Sequence, residues 1–245
     1  MVTSFSVVGG SALEWVIGKL LDAVWKYITR TPLNKMKIQA ENGDAEAQYA
    51  LGLMYYRGEN VPTGEKVPKN YTEALRWTRR AAEENGHKEA QLFLGLMYYY
   101  GIGTPQNYSE AARWYRKAAG QEEAESQYNL GLLYYNGEGV KQSYTEAARW
   151  YRKAAEQGLT SAQNNLGCMY YEGEGVSQDK EEAARWYRKA AEQGHPLAQC
   201  SLGMMYAAGD GVPEDEEEAV KWLRKAAQQG HYNSQELLRS LGETW

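Results

Sequence analysis

A Leu-Gly pair returns at a fixed spacing along this chain, and this period restricts the fold more than any other feature. From Gly95 to Gly131, to Gly167 and to Gly203, each interval is 36 residues. A tyrosine follows three residues after each glycine, and a tryptophan recurs at the same interval. Such a period is typical of an array in which each repeat buries its apolar face against its neighbours. An array of this kind usually offers a partner an extended surface.

Each repeat is predicted to contain two helices. In the fourth repeat, Leu166 and Met169 lie on the apolar stripe of a first helix, which adjacent glycines end at residues 173–176. Asp179 then caps a second helix, and Glu182 completes a capping box. The same box recurs as Asn70/Glu73, Asn107/Glu110, Ser143/Glu146 and Asp215/Glu218. The sequence therefore predicts an all-α fold, an α/α solenoid of about five two-helix repeats.

The glycine of the Leu-Gly pair needs a physical reason, because glycine inside a helix costs about 0.5–1 kcal/mol relative to alanine. The usual compensation is the close approach of another backbone. We therefore expect Gly52 and its equivalents to lie at helix crossings. Arg239 occupies the glycine position in the last, truncated segment.

The two ends are predicted to cap the array. We expect 1–43 to form an amphipathic helix and a half-repeat, 44–230 to form five repeats, and 231–245 to form a capping helix. The apolar positions from Leu13 to Ile28 predict the first of these helices, which ends at Thr31-Pro32. A membrane-surface helix over 11–30 is the alternative, although its polar face mixes both signs of charge. The first repeat also carries an insertion around 62–68, interpreted as a tolerated surface loop or alternatively as a binding loop.

Composition narrows the classes of partner and compartment. A net charge of -5, from 27 basic and 32 acidic residues, does not favour nucleic acid as a partner. Two cysteines, Cys168 and Cys200, are too few for a secreted disulfide framework, and we expect both to be reduced. The first residues lack the basic start of a secretory signal, and charges interrupt the next apolar stretch. These observations predict a soluble, cytoplasmic protein.

The repeated text LGLLYYNGEGV, followed by EAARWYRKAAEQG, closely resembles the Sel-one-like repeat (SLR) family, relatives of the tetratricopeptide repeats. The match covers roughly residues 40–241. The resemblance implies an adaptor or regulatory protein, most often bacterial, that holds another protein on a concave surface lined by the first helices. Some bacterial members resemble immunity proteins for secreted toxins.

By analogy with tetratricopeptide repeats, the positions three before and one, four and five after each glycine face this groove. They are rich in tyrosine, which offers a large contact area and loses few rotamers on binding. The alternative is that many of these tyrosines pack between adjacent helices. The predicted contact residues are Tyr49, Tyr56, Arg57, Tyr99, Tyr100, Tyr128, Tyr135, Asn136, Asn164, Tyr171 and Glu172. We expect a protein or peptide partner and no cofactor.

Chemical motifs are weak. Ser177 and Lys180 match Ser-x-x-Lys, but the motifs that accompany this pair in penicillin-binding enzymes are absent. His87, His195 and His231 occupy equivalent positions a whole repeat or more apart, so no metal site is expected. The sequence therefore predicts a non-enzymatic binding module. The alternative, implied by reported activities of some SLR relatives, is a weak hydrolase resembling a β-lactamase.

Overall fold

The computed structural model describes residues 11–58 and 67–244. Within these ranges the chain forms thirteen α-helices and no strand, which confirms the all-α prediction. Residues 62–66 of the insertion predicted around 62–68, and the first ten residues of the chain, lie outside the described ranges. The helices are α1 (Ser11–Arg30), α2 (Leu33–Glu41), α3 (Ala45–Arg57), α4 (Tyr71–Glu84), α5 (Lys88–Tyr100), α6 (Tyr108–Ala119), α7 (Ala124–Asn136), α8 (Tyr144–Glu156), α9 (Thr160–Glu172), α10 (Lys180–Glu192), α11 (Pro196–Ala208), α12 (Glu216–Gln228) and α13 (Tyr232–Ser240).

The chain divides into two compact bodies, an N-terminal body (1–123) and a C-terminal body (124–245). The repeats are the helix pairs α3/α4, α5/α6, α7/α8, α9/α10 and α11/α12, and the two helices of each pair pack together. Inside the N-terminal body, α4 also packs on α5, α2 packs on α3, and α1 contacts both α3 and α5. Inside the C-terminal body, α8 packs on α9, α10 on α11, and α13 on α12. The fold is thus the five-repeat α-solenoid class that the period predicts.

The turn between the two helices of a repeat is closed by the cap of the second helix. The Asp179 side chain accepts a hydrogen bond from the Glu182 N–H at 2.9 Å, as the capping box predicts. The Asp179 N–H, however, donates to the Tyr170 carbonyl at 2.9 Å, and the Glu182 carboxylate pairs with Arg185 at 2.7 Å. Only the first bond of the capping box, from the Glu182 N–H to the Asp179 side chain, is therefore present. In place of the second bond, the Asp179 N–H binds the last turn of the first helix.

The Leu-Gly glycines lie at helix crossings, as predicted, but the close neighbour is mostly a side chain. A Cβ at Gly131 would lie 2.7 Å from two ring carbons of Tyr151 on α8, and a Cβ at Gly167 would lie 2.8 Å from the Tyr187 ring on α10. Both rings are buried. The expected backbone approach is therefore only part of the reason, because the missing Cβ mainly makes room for an aromatic ring.

Buried glutamines join consecutive repeats. Gln163 on α9 donates from Nε2 to the Ala155 carbonyl at the end of α8, at 3.1 Å. Its Oε1 accepts from Gln193, at the end of its own second helix, at 2.9 Å. Gln163 is 4% exposed, so both bonds replace water that is excluded from the site. Gln91 and Gln199 make the same two bonds in their own repeats. We call this arrangement the glutamine relay.

Candidate partner-binding surface

The predicted contact residues divide by exposure. Tyr49, Tyr56 and Asn164 are 0%, 6% and 4% exposed, so their side chains offer little surface as the chain stands. The other predicted residues are accessible. Half-buried side chains are those of Tyr99, Tyr100, Tyr128, Tyr135 and Tyr171, and exposed ones are those of Arg57, Asn136 and Glu172.

In the C-terminal body, the tyrosines four residues after Gly131 and Gly167 link consecutive repeats. The Tyr135 hydroxyl donates to Glu174 at 2.8 Å, and the Tyr171 hydroxyl donates to Asp210 at 2.9 Å. Lys180 also binds the Asp210 carboxylate at 2.9 Å, and this bond holds the pKa of Asp210 below its usual value. These hydroxyls therefore have a structural role, while the half-buried rings keep part of their surface open at a fixed orientation.

In the N-terminal body, α1 covers the corresponding surface. The Tyr56 hydroxyl donates to Glu14 of α1 at 3.3 Å, and its ring packs edge-on against Phe93 of α5 at 5.4 Å between centroids. Burial raises the pKa of Tyr56, which keeps the hydroxyl protonated and able to donate. The amphipathic helix was predicted to cover the open end of the array. In the structure it contacts the first helices of two repeats, α3 and α5, and α2 packs on α3, so the capping role stays a prediction.

On α11 the structure shows an apolar stripe, in which Met204 and Ala208 hold predicted groove positions after Gly203 and Leu197 does not. Leu197 is 52% exposed and Met204 is 43% exposed, and Ala208 is exposed on the same side of the helix. A signal was available in the sequence. The position of Leu197 holds Glu46, Glu89 and Glu125 in the first three repeats. A leucine there departs from a pattern of solvated charges.

The histidines have a structural explanation. Nδ1 of His195 accepts a hydrogen bond from the Ala198 N–H at 3.3 Å, so the imidazole caps the start of α11. His87 and His231 cap α5 and α13 in the same way. Burial lowers the pKa of His195, which favours the neutral form that can accept this bond. In the part of the chain that the structure describes, no three His, Cys, Asp or Glu side chains converge as metal ligands.

Lys180 does not have the environment of a catalytic base. Its bond to Asp210 raises the pKa of the ammonium group, whereas a lysine that activates a serine needs a lowered pKa. Cys168 and Cys200 are unpaired, as predicted, and burial raises the pKa of the Cys168 thiol to about 11. A thiol with a raised pKa is a poor nucleophile at neutral pH.

Comparison with known proteins identifies the family. The Sel1 repeat model matches residues 45–86, 88–122, 124–159, 160–195 and 196–231. The chain belongs to the Sel1 repeat family. Sel1 repeat proteins generally mediate protein–protein interactions and are generally non-enzymatic scaffolds.

Two bacterial structures are similar to this chain. A protective antigen of uropathogenic Escherichia coli strains with an SLR fold is 42% identical, with a TM-score of 0.79 over 84% of this chain. The match spans only 43% of that antigen. A Sel1 repeat protein from Oxalobacter formigenes is 34% identical, with a TM-score of 0.76, over 89% of this chain and 86% of its own. The comparison with curated protein sequences gives no match. Among the helices of the described ranges, none is long and apolar enough to cross a bilayer.

Proposed function

We propose that this Sel1 repeat protein is a non-enzymatic module that holds a protein or peptide partner on the first helices of its C-terminal body. The observation that carries the proposal is the exposed stripe of Leu197, Met204 and Ala208 on α11. Large apolar side chains exposed along one side of a helix offer an interaction site, and methionine adapts its shape to a partner.

The tyrosines and variable residues of α7 and α9 would complete this surface. Because the hydroxyls of Tyr135 and Tyr171 are already bonded to Glu174 and Asp210, their rings are held in place before a partner arrives. A ring that is fixed in advance loses less conformational entropy on binding. Asn136 and Glu172, which are exposed and differ between repeats, would supply specificity. The buried Asn164 would act only through the packing of α9.

The alternative function, a weak hydrolase, has less support. Ser177 is exposed in the turn before α10, and the lysine of its motif is engaged by Asp210. A Ser-x-x-Lys mechanism needs a lysine free to take the serine proton, and this ammonium group is stabilised in its charged form. We therefore expect the purified protein to hydrolyse neither activated esters nor β-lactams. Turnover that is lost on Ser177→Ala would contradict this expectation.

Partner capture from native cells tests the binding module. We compare the wild type with Met204→Asp, which places a charge in the apolar stripe without disturbing the core. Ile38→Asp is the matched control, because Ile38 is 58% exposed and lies on α2, outside the C-terminal body that carries the stripe. A specific partner should be retained by the wild type and the control and be reduced at least about tenfold by Met204→Asp, the effect of about 1.4 kcal/mol. Equal capture by all three proteins, with equal thermal stability, would refute the proposed surface.

A further inference from the structure

The helix α1 lies antiparallel to α3. At one end, Glu14 of α1 accepts the Tyr56 hydroxyl, and Tyr56 belongs to the last turn of α3. At the other end, Tyr27 donates to Gln39 of α2 at 3.1 Å. Burial, and then the carboxylates of Asp44 and Glu46 at the start of α3, raise the pKa of Tyr27. These interactions at the two ends of α1, together with its contacts to α5, place α1 lengthwise along the first helices of two repeats.

The side of α1 that faces these helices is a stripe of branched aliphatic side chains. Each member is 9% exposed or less: Val16, Ile17, Leu20, Leu21, Val24 and Ile28. The opposite side carries Trp15 and Trp25, which are 53% and 43% exposed. An amphipathic helix that lays such a stripe in an apolar groove is a recurrent mode of peptide recognition.

A departure from the repeat pattern shows that α1 supplies something the array lacks. In the third and fourth repeats, Tyr135 and Tyr171 donate to an acidic residue in the Gly-x-Gly turn of the following repeat. For Tyr56 of the first repeat, the corresponding turn is the Gly-x-Gly turn between α5 and α6 of the second repeat. This turn has Ile102 at the acidic position, so it offers Tyr56 no carboxylate. Glu14 of α1 accepts the Tyr56 hydroxyl in its place.

Equivalent positions elsewhere show how this face looks without a covering helix. Leu53 and Tyr56 on α3 are 0% and 6% exposed. Their equivalents on α11 are Met204, 43% exposed, and Ala207, also exposed. Leu132 on α7 is nevertheless only 6% exposed, so packing within the array already buries the leucine position there. The difference that coincides with α1 is at the tyrosine, because Tyr56 is 6% exposed whereas Tyr135 and Tyr171 are half-buried.

We propose that the face formed by α3 and α5 is a helix-binding groove and that α1 is its resident ligand. The partner that displaces α1 is an amphipathic helix with branched aliphatic residues at i, i+4 and i+8 and one carboxylate placed to accept the Tyr56 hydroxyl. This inference rests on the proposed function, because it names a second partner surface of the same interaction module. Only residues 31 and 32 separate α1 from α2, and a ligand tethered so closely competes at an effective concentration of the order of millimolar. An external helix therefore binds well only when α1 is released.

The test uses the full chain and a fluorescent synthetic peptide with the sequence of residues 11–30 as the probe. The releasing variant is Ile17→Glu with Leu21→Glu, which places two charges in the buried stripe. Its matched control is Ala23→Glu with Lys26→Glu, on the exposed side of α1. By fluorescence anisotropy, the releasing variant should bind the peptide at least about tenfold more tightly than the wild type or the control. A peptide with Glu14→Ala should bind several-fold more weakly. A releasing variant that keeps its folded repeats and binds the peptide no better than the control overturns the proposal.

A second measurement on the wild type does not depend on those variants folding. Excess unlabelled peptide should speed hydrogen exchange at the amides of α1 while those of α4 stay protected. Unchanged hydrogen exchange in α1 at saturating peptide overturns the proposal. A concentration-dependent dimer that protects α1 also overturns it, because that result would assign the groove to a second copy of the chain. The proposed function is tested separately through Met204→Asp on α11. Either idea can therefore fail while the other stands.

Discussion

Replacing Gly131 by alanine adds one methyl group where α7 crosses α8, and the structure gives the expected cost. The new Cβ would lie 2.7 Å from two carbons of the Tyr151 ring. Carbon atoms in favourable contact are about 3.5–4.0 Å apart, so the ring has to retreat by about 0.8 Å or more. Tyr151 is completely buried, among Leu132, Leu166 and other core side chains, which leaves it little room to move.

Two effects compete in this variant. Overpacking of this kind costs about 1–3 kcal/mol, and the better helix propensity of alanine returns about 1 kcal/mol. We expect Gly131→Ala to lower the free energy of unfolding by about 1 kcal/mol. The matched control is Gly18→Ala in α1, where a Cβ would meet nothing within 4 Å. That variant should instead raise the free energy of unfolding by about 0.5–1 kcal/mol.

Urea denaturation, followed by circular dichroism and tryptophan fluorescence, measures both changes. The same substitution is then made in a Tyr151→Ala background, where the ring is gone. There Gly131→Ala should become neutral or stabilising, so the sign of its effect reverses. If Gly131→Ala stabilises the wild type as much as Gly18→Ala does, or if its cost persists without the ring, the reasoning about this crossing is wrong.

Two further predictions concern a capping histidine and a buried glutamine. Because burial lowers the pKa of His195 below its ordinary value near 6.5, the folded state resists protonation and the unfolded state does not. Stability should therefore fall as the pH drops below about 6.5, and His195→Asn, which keeps a capping side chain, should reduce this loss in pH-dependent thermal unfolding. Gln163→Leu removes both bonds of the relay and should lower the free energy of unfolding by about 1–3 kcal/mol, since each bond contributes about 0.5–1.5 kcal/mol. The Ala155 carbonyl keeps the Gly158 N–H as a donor, and the Gln193 amide keeps the Lys189 carbonyl as an acceptor. The exposed Gln228→Leu should change the free energy of unfolding by less than about 0.5 kcal/mol in the same urea titration.

The period of the Leu-Gly pair was enough to predict the helices, the turns and the crossing glycines, because these features depend on local spacing. Asp179 was correctly predicted to cap α10 for the same reason. The bond from its N–H to the Tyr170 carbonyl was not predictable from the capping-box pattern, since it depends on how the two helices of a repeat close against each other.

The candidate surface was less predictable, because exposure depends on which elements lie nearby. Tyr56 and Tyr171 have the same place in their repeats, yet one is buried under α1 and the other is half open. No periodicity indicates where an amphipathic helix outside the array will pack. The exposed Leu197 was missed for a different reason, since the candidate positions were chosen by analogy and its place in the repeat was not among them.

The glutamine relay has a consequence for how such a chain can change in length. Each relay glutamine reaches back to a main-chain carbonyl, which every sequence provides, and forward to a glutamine of its own repeat. In a duplicated 36-residue copy, the relay glutamine would therefore find both of its hydrogen-bond partners, whatever the remaining surface residues of the copy are. Gene duplication can then lengthen the array without leaving a relay glutamine unsatisfied, and the surface positions of each copy are free to diverge toward a different partner.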